Sequence, residues 1–161
     1  CYAHTDFEDG RKKLHRPQQK GKNRFLTTCN QNDIYGINSL PAFGELLVIT
    51  KSYKDYRVLK NQGLNVIAFQ NEGMIPTNDI LLPICKRFKY IVVFFDNDIT
   101  GIEAGEKVSN HINSYFPGKS RYIHLDTDLL KYEITDPSDL IYKKGKPVLT
   151  EFLIKNKLFF N

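Results

Sequence analysis

Tyr90-Ile91-Val92-Val93-Phe94-Phe95 runs straight into Asp96-Asn97-Asp98-Ile99-Thr100-Gly101. Six apolar residues are far too few to span a bilayer. Their β-branched and aromatic character suits a strand buried on both faces, as in a parallel sheet covered by helices. The polar turn that follows can start a helix, with Asp98 or Thr100 as its cap. That helix runs to about Tyr115 and stops at Pro117-Gly118.

The same alternation extends outward from this stretch. Leu46-Leu47-Val48-Ile49-Thr50 is a second continuous apolar run, followed by a helix capped by Ser52, reaching about Gln62 and closed by Gly63. Asn65 to Phe69 is a further strand. Asn78 or Asp79 caps a helix to about Arg87, and Arg121 to Leu125 is a fourth strand. A loop carrying Asp126, Asp128, Asp136 and Asp139 comes next, and Thr150 caps a last helix to about Lys157. Strands alternating with helices predict an α/β domain: a four-stranded parallel sheet with helices on both faces.

The front of the chain reads differently. Asp9-Gly10 is a turn signal, flanked by the short segments Arg11–Arg16 and Arg24–Thr28 around the polar stretch 17–23. This predicts a small basic β lobe over residues 1–41, with the α/β domain over 42–161. Seven basic side chains and three acidic ones fall within residues 1–30, so most of the chain's net charge of +5 sits there. Such a surface is either a solvated face or a track for a phosphate backbone.

Composition sets outer bounds. With 161 residues and 41% hydrophobic content the chain is long and apolar enough for one ordinary core. No apolar run approaches membrane-spanning length, so no membrane partner is expected. The N-terminus lacks a basic segment followed by an apolar one, so a signal peptide is not expected and a cytoplasmic setting is. The first residue is Cys1 and not Met, which suggests a piece of a longer chain. Cys1, Cys29 and Cys85 are too scattered for a disulfide framework or a metal knuckle and read as thiols. His4, His15, His111 and His124 show no zinc spacing. The eleven Phe and nine Tyr mostly read as core, with Tyr35 and Tyr53 at the edge of the expected crevice.

In open α/β sheets ligands bind beyond the carboxyl ends of the strands. Asp96 and Asp98 lie there, one residue apart. Two carboxylates in one crevice repel unless a divalent cation sits between them. Mg²⁺ (or Mn²⁺) prefers hard oxygen ligands of this kind. Gly101 lets the backbone turn tightly into the next helix. Asp136-Pro137-Ser138-Asp139 offers two more acids, as metal ligands or as helix caps. An ordinary strand-to-helix turn would also account for the whole motif.

Asp96, Asp98 and Gly101, with Asp136 and Asp139 further on, make the sequence resemble the Toprim family, and more closely the catalytic core of bacterial- and phage-type DNA primases. Gly10-Arg11, Arg24-Phe25-Leu26 and Tyr35-Gly36 resemble landmarks of the basic lobe that precedes Toprim in primases. The resemblance implies metal-dependent, template-directed synthesis of RNA primers on single-stranded DNA from nucleoside triphosphates, with a replicative helicase as a further partner. It implies Asp96, Asp98, Asp136 and Asp139 as metal ligands. Arg11, Arg16, Lys22, Arg24, Lys51 and Lys54 would be phosphate contacts. One motif departs from the family pattern. Lys51-Ser52-Tyr53-Lys54-Asp55 keeps Asp55 but has Lys51 where the family places a Glu. Either the module is catalytically degenerate and only binds nucleic acid, or the acid has moved to Glu72, at the end of the neighbouring strand, and joins Asp96 and Asp98 in catalysis. A Toprim nuclease would carry the same acidic motif. A receiver-like α/β domain also gathers acids at strand ends, but it needs an acidic pair after the first strand, which Thr50-Lys51 does not supply.

Overall fold

The computed structural model describes residues 2–4, 11–16, 18–19 and 24–158, with only the backbone for 2–4. Lys22, the Asp9-Gly10 turn, most of the polar stretch 17–23 and Cys1 lie outside the described residues.

Four parallel strands form the main sheet: β4 (Gly44–Thr50), β5 (Val66–Ala68), β6 (Phe88–Phe94) and β7 (Ser120–Ile123). Their order is β5-β4-β6-β7. The two long apolar runs, β4 and β6, are the central pair, in register from Gly44 opposite Phe88 to Ile49 opposite Val93. Successive residues bury on opposite faces. Leu47, Ile49, Ile91, Val93 and Phe95 pack on one side, against α2 (Asn78–Lys86) and α3 (Ile99–Tyr115). Leu46, Val48, Val92 and Phe94 pack on the other, against α1 (Tyr53–Lys60), α4 (Pro137–Lys144) and α5 (Lys146–Lys155). This two-sided burial is why the strands read as unbroken apolar runs, and the four-stranded α/β sheet with helices on both faces is as expected.

The chain leaves β4 for β5 on one side and then returns to β6 on the other. The order of strands therefore reverses between β4 and β6, and a crevice opens at their carboxyl ends. Lys51 follows β4 directly, and Asp96 lies two residues beyond the end of β6.

The front residues form a three-stranded antiparallel sheet, β1 (Tyr2–His4), β2 (Lys13–His15) and β3 (Phe25–Thr27), with β2 in the middle. The segments around Lys13 and Phe25 are strands as expected, and Tyr2–His4 adds a third. Polar contacts tie this lobe to the main domain. The Lys13 ammonium donates to the Gln70 carbonyl, the Gln70 amide donates to the Asp33 carbonyl at 2.6 Å, and Tyr35 bridges Ala68 at the edge of the main sheet, while Arg11 pairs with Asp33 within the lobe at 2.8 Å.

Three expectations are corrected. The loop after β7 is not all loop: a 3-10 helix (Thr127–Tyr132) and α4 occupy it. Asp136 followed by Pro137 was the signal, since a cap followed by Pro at the first helical position starts a helix. The last helix starts at Lys146, behind Gly145 and ahead of Pro147, so Thr150 lies inside it and its hydroxyl bonds back to the Lys146 carbonyl at 3.0 Å. The cap of α2 is Thr77, one residue before Asn78, and Asn32 Oδ1 accepts from its N–H at 2.9 Å.

Candidate metal centre and nucleic-acid cleft

Three carboxylates meet at the carboxyl ends of the central strands. Asp55, Asp96 and Asp136 are buried, and a ligand oxygen from each lies within 4.8 Å of the other two. Each arrives for a local reason. Ser52 caps α1 by accepting from the Asp55 N–H at 3.1 Å, which places Asp55 in the first turn, over the end of the sheet. Asp96 comes after the buried Phe95, two residues beyond the end of β6. Asp136 caps α4, accepting from the Asp139 N–H and the Ser138 hydroxyl at 2.7 Å each.

Asp98 takes a different place from its partner in the motif. It caps α3, accepting from the Gly101 N–H at 2.8 Å, and is not one of the three convergent acids. Gly101 is required here: a Cβ on it would lie 2.6 Å from the Asp96 carbonyl oxygen. The cap and the glycine together set α3 against Asp96. Asp139 borders the cleft but is held by the Thr135 N–H and hydroxyl, the latter at 2.9 Å.

Lys51 joins the cluster from the end of β4. Its ammonium contacts the Glu72 carboxylate and lies 2.6 Å from Asp96 Oδ2. Glu72 therefore does reach the crevice, from the turn after β5, and it meets Lys51 there. Lys54 pairs with Asp136 and sits 3.6 Å from Asp139.

Burial and mutual repulsion shape the electrostatics. Desolvation, reinforced by the charge of Asp136, pushes the Asp55 carboxyl up to about 7. Desolvation also lifts Asp96 to about 6, against the pull of Lys51. Burial opposes ionisation of Asp136 too, but Lys54 and the hydrogen bonds from Ser138 and Asp139 hold it below the usual carboxylate range. Asp96 Oδ1 is buried without a hydrogen-bond partner. A buried carboxylate oxygen with nothing to bond costs free energy. Three converging acids and one orphaned oxygen fit a divalent cation with hard oxygen ligands.

Above the acids lies a cleft of about 710 Å³. Its opposite rim belongs to the front lobe: Lys13, His15, Arg24 and Phe25. Burial lowers the Lys13 ammonium below its ordinary range. The Phe25 ring is half-exposed, stacks on His15 with centroids 4.6 Å apart, and has Arg24 over its face at 5.6 Å.

Of the basic residues expected at phosphates, Arg24, Lys51 and Lys54 line the cleft, whereas Arg11 is paired with Asp33 and neither Arg11 nor Arg16 borders it. Tyr35 and Tyr53 also line it. Sequence reasoning did not place Asp55, Lys13 or Phe25 in the site. Asp55 had two signals, its place in the motif Lys51 to Asp55 and its spacing of three residues from the capping Ser52; Phe25 stood in the landmark Arg24-Phe25-Leu26, and Lys13 had none beyond its strand position.

No family model matches the sequence, and no curated protein matches it. Solved structures do. A DNA primase domain from Pseudomonas aeruginosa superposes with a TM-score of 0.68 at 15% identity, over 91% of this chain and 46% of that one. The fold is that of primase catalytic cores. A DnaG primase catalytic domain bound to single-stranded DNA matches with a TM-score of 0.65 at 16% identity, over 90% of this chain and 48% of that one. The primase fragment of the bacteriophage T7 primase-helicase matches with a TM-score of 0.61 at 16% identity, over 89% and 56%. This chain thus spans about half the length of the primase cores it resembles. The primase-core likeness read from Asp96, Asp98 and Gly101 extends to nine-tenths of the chain. Among the described residues no helix is long and apolar enough to cross a membrane.

Proposed function

We propose that the chain is the catalytic part of a DNA primase: a metal-dependent nucleotidyltransferase that joins ribonucleotides on a single-stranded DNA template. The observation that carries this reading is the convergence of Asp55, Asp96 and Asp136 at the end of a primase-type sheet, facing a basic lobe across one cleft.

Asp55, Asp96 and Asp136 would hold the cation, Mg²⁺ or Mn²⁺. When bound, it supplies positive charge to phosphoryl oxygens and lowers the barrier to displacement at phosphorus. The chain's own residues do the rest. Asp98 is a positioning residue, since its cap fixes the start of α3 beside Asp96. Arg24, Lys13 and Lys54 line the cleft with cationic groups that suit template or triphosphate oxygens. Phe25, half-exposed above Arg24, offers a face for a base. The cleft, with the acids and their paired lysines on one rim and Lys13 and Arg24 on the other, suits a substrate whose phosphates and reacting hydroxyl must be held together.

One observation favours a second reading. The Lys51 ammonium already neutralises Asp96. A Toprim module that binds nucleic acid without chemistry would tolerate such a contact.

Incubation with single-stranded DNA, ribonucleotides and Mn²⁺ or Mg²⁺, beside an Asp96→Asn/Asp98→Asn control, separates the readings. New primers that vanish in the control are the expected result. Template cuts without primers would make the chain a nuclease. Metal-independent DNA binding with neither product would make it the binding module.

A further inference from the structure

Lys51 stands between two carboxylates from the turns that follow β5 and β6, the strands on either side of its own. Its side chain is 15% exposed, Glu72 is 23% exposed and Asp96 is 12% exposed. An ammonium has three donors and no acceptor, and two of its donors are used here, one on each acid. The arrangement places a fixed positive charge against one oxygen of Asp96, Oδ2, at 2.6 Å. The other oxygen, Oδ1, is buried and has no hydrogen-bond partner. Asp96 thus has one oxygen committed and one open, in a cluster whose other members, Asp55 and Asp136, lie within 4.8 Å.

Phosphoryl-transfer sites with two metals hold their ions about 3.5–4 Å apart and clamp both the attacking and the leaving oxygen. A carboxylate shared by two cations is a natural bridge in such a site. Here Asp96 is shared in the same sense, but one of its cations is covalently attached to the chain. We propose that the Lys51 ammonium, held by Glu72 and Asp96, stands in for one of the two divalent cations of a two-metal site, so that this chain binds a single exchangeable metal ion. The proposal rests on the metal-dependent reading above and specifies how that site is loaded.

Lys54 is not an equivalent stand-in. Its side chain is 56% exposed, and its partner acids belong to α4, not to the strand ends. It is able to swing to a substrate phosphate, whereas Lys51 is enclosed.

Removing the ammonium leaves Glu72 and Asp96 facing each other, two acids whose repulsion a second cation relieves. Lys51→Glu goes further and adds a third carboxylate at that point. The test is a Mn²⁺ titration of the whole chain, with free ion read by electron paramagnetic resonance and fold checked by circular dichroism. The wild type is expected to bind one ion, and Lys51→Glu or Lys51→Met two. Two ions in the wild type, or one ion in both folded variants, would overturn the proposal while leaving a metal-dependent site in place. No ion in the wild type would overturn both the proposal and the metal-dependent reading.

Discussion

The two rims of the cleft are built in opposite ways. The acid rim stands at the carboxyl ends of β4 and β6, where the last residues of both strands are buried, and on the capped starts of α1 and α4 that pack there. The basic rim grows from three-residue strands, of which β3 is exposed along its length, and it is tied down by a few polar contacts. Metal ligands must be fixed within fractions of an ångström, and a close-packed core supplies that. A grip on phosphates is made by long cationic side chains and tolerates a lighter scaffold. The difference suggests that chemistry and affinity reside on separate rims and can be broken separately.

The largest expected effect is on the acid rim. Asp96→Asn should lower primer synthesis at least about a thousandfold, the equivalent of several kcal/mol of lost charge stabilisation, as measured by labelled ribonucleotide incorporation. Next comes the scaffold beneath it. Leu47→Ala, at a fully buried position in β4, should cost about 2–5 kcal/mol in urea unfolding. Leu26→Ala, in the exposed β3, should stay within about 0.5 kcal/mol. Comparable losses at the two positions would erase the contrast between the rims. Gly101→Ala should weaken Mn²⁺ binding by about ten- to a hundredfold, because the added Cβ must displace the Asp96 backbone that lies 2.6 Å away.

A pH experiment probes the acid rim without mutation. Folding raises the Asp96 and Asp55 carboxyls, to about 6 and about 7, from an ordinary value of 3.8. Between these limits the folded protein binds protons that the unfolded chain has released, so their contribution to stability is full below about 4 and is lost as pH rises towards 7. Asp136 is shifted the other way, and its contribution is lost only below the ordinary carboxylate range. The metal-free protein should therefore melt at a lower temperature at pH 8 than at pH 5. Mn²⁺ should raise the melting temperature at pH 8 and have little effect at pH 5, where protons compete for the same oxygens. The smallest effect belongs to the basic rim. Arg24→Ala should weaken single-stranded DNA binding to about the same extent for all sequences and reduce the slope of log affinity against log salt by about 1, as read by fluorescence anisotropy.

Legibility in the sequence followed the same division. Leu46 to Thr50 and Tyr90 to Phe95 disclosed central strands because burial on both faces removes polar residues from the run. Asp96 stood out because it follows such a strand, and the Asp136-Pro137 pair because it marks a turn. What the sequence hid was how side chains divide roles within a motif. Asp98 and Asp96 look alike in a DxD pair, yet one is spent on a helix cap and the other is left with an orphaned oxygen. Asp55 was visible as a motif residue, but its convergence with Asp136 spans 81 positions and depends on α1 and α4 packing on the same face. The front lobe was read from a turn signal, short segments, family-like landmarks and charge, and charge does not assign roles to single residues. Arg11 and Lys13 are equally basic in sequence, but Arg11 pairs with Asp33 while Lys13 borders the cleft.

The separation of the rims is tested most directly by measuring single-stranded DNA affinity and primer yield for Asp96→Asn in the same samples. The account predicts affinity within about threefold of wild type and no detectable primers. Primer synthesis that survives the substitution, or DNA binding that disappears with it, would contradict the assignment of chemistry to the acid rim and grip to the basic one.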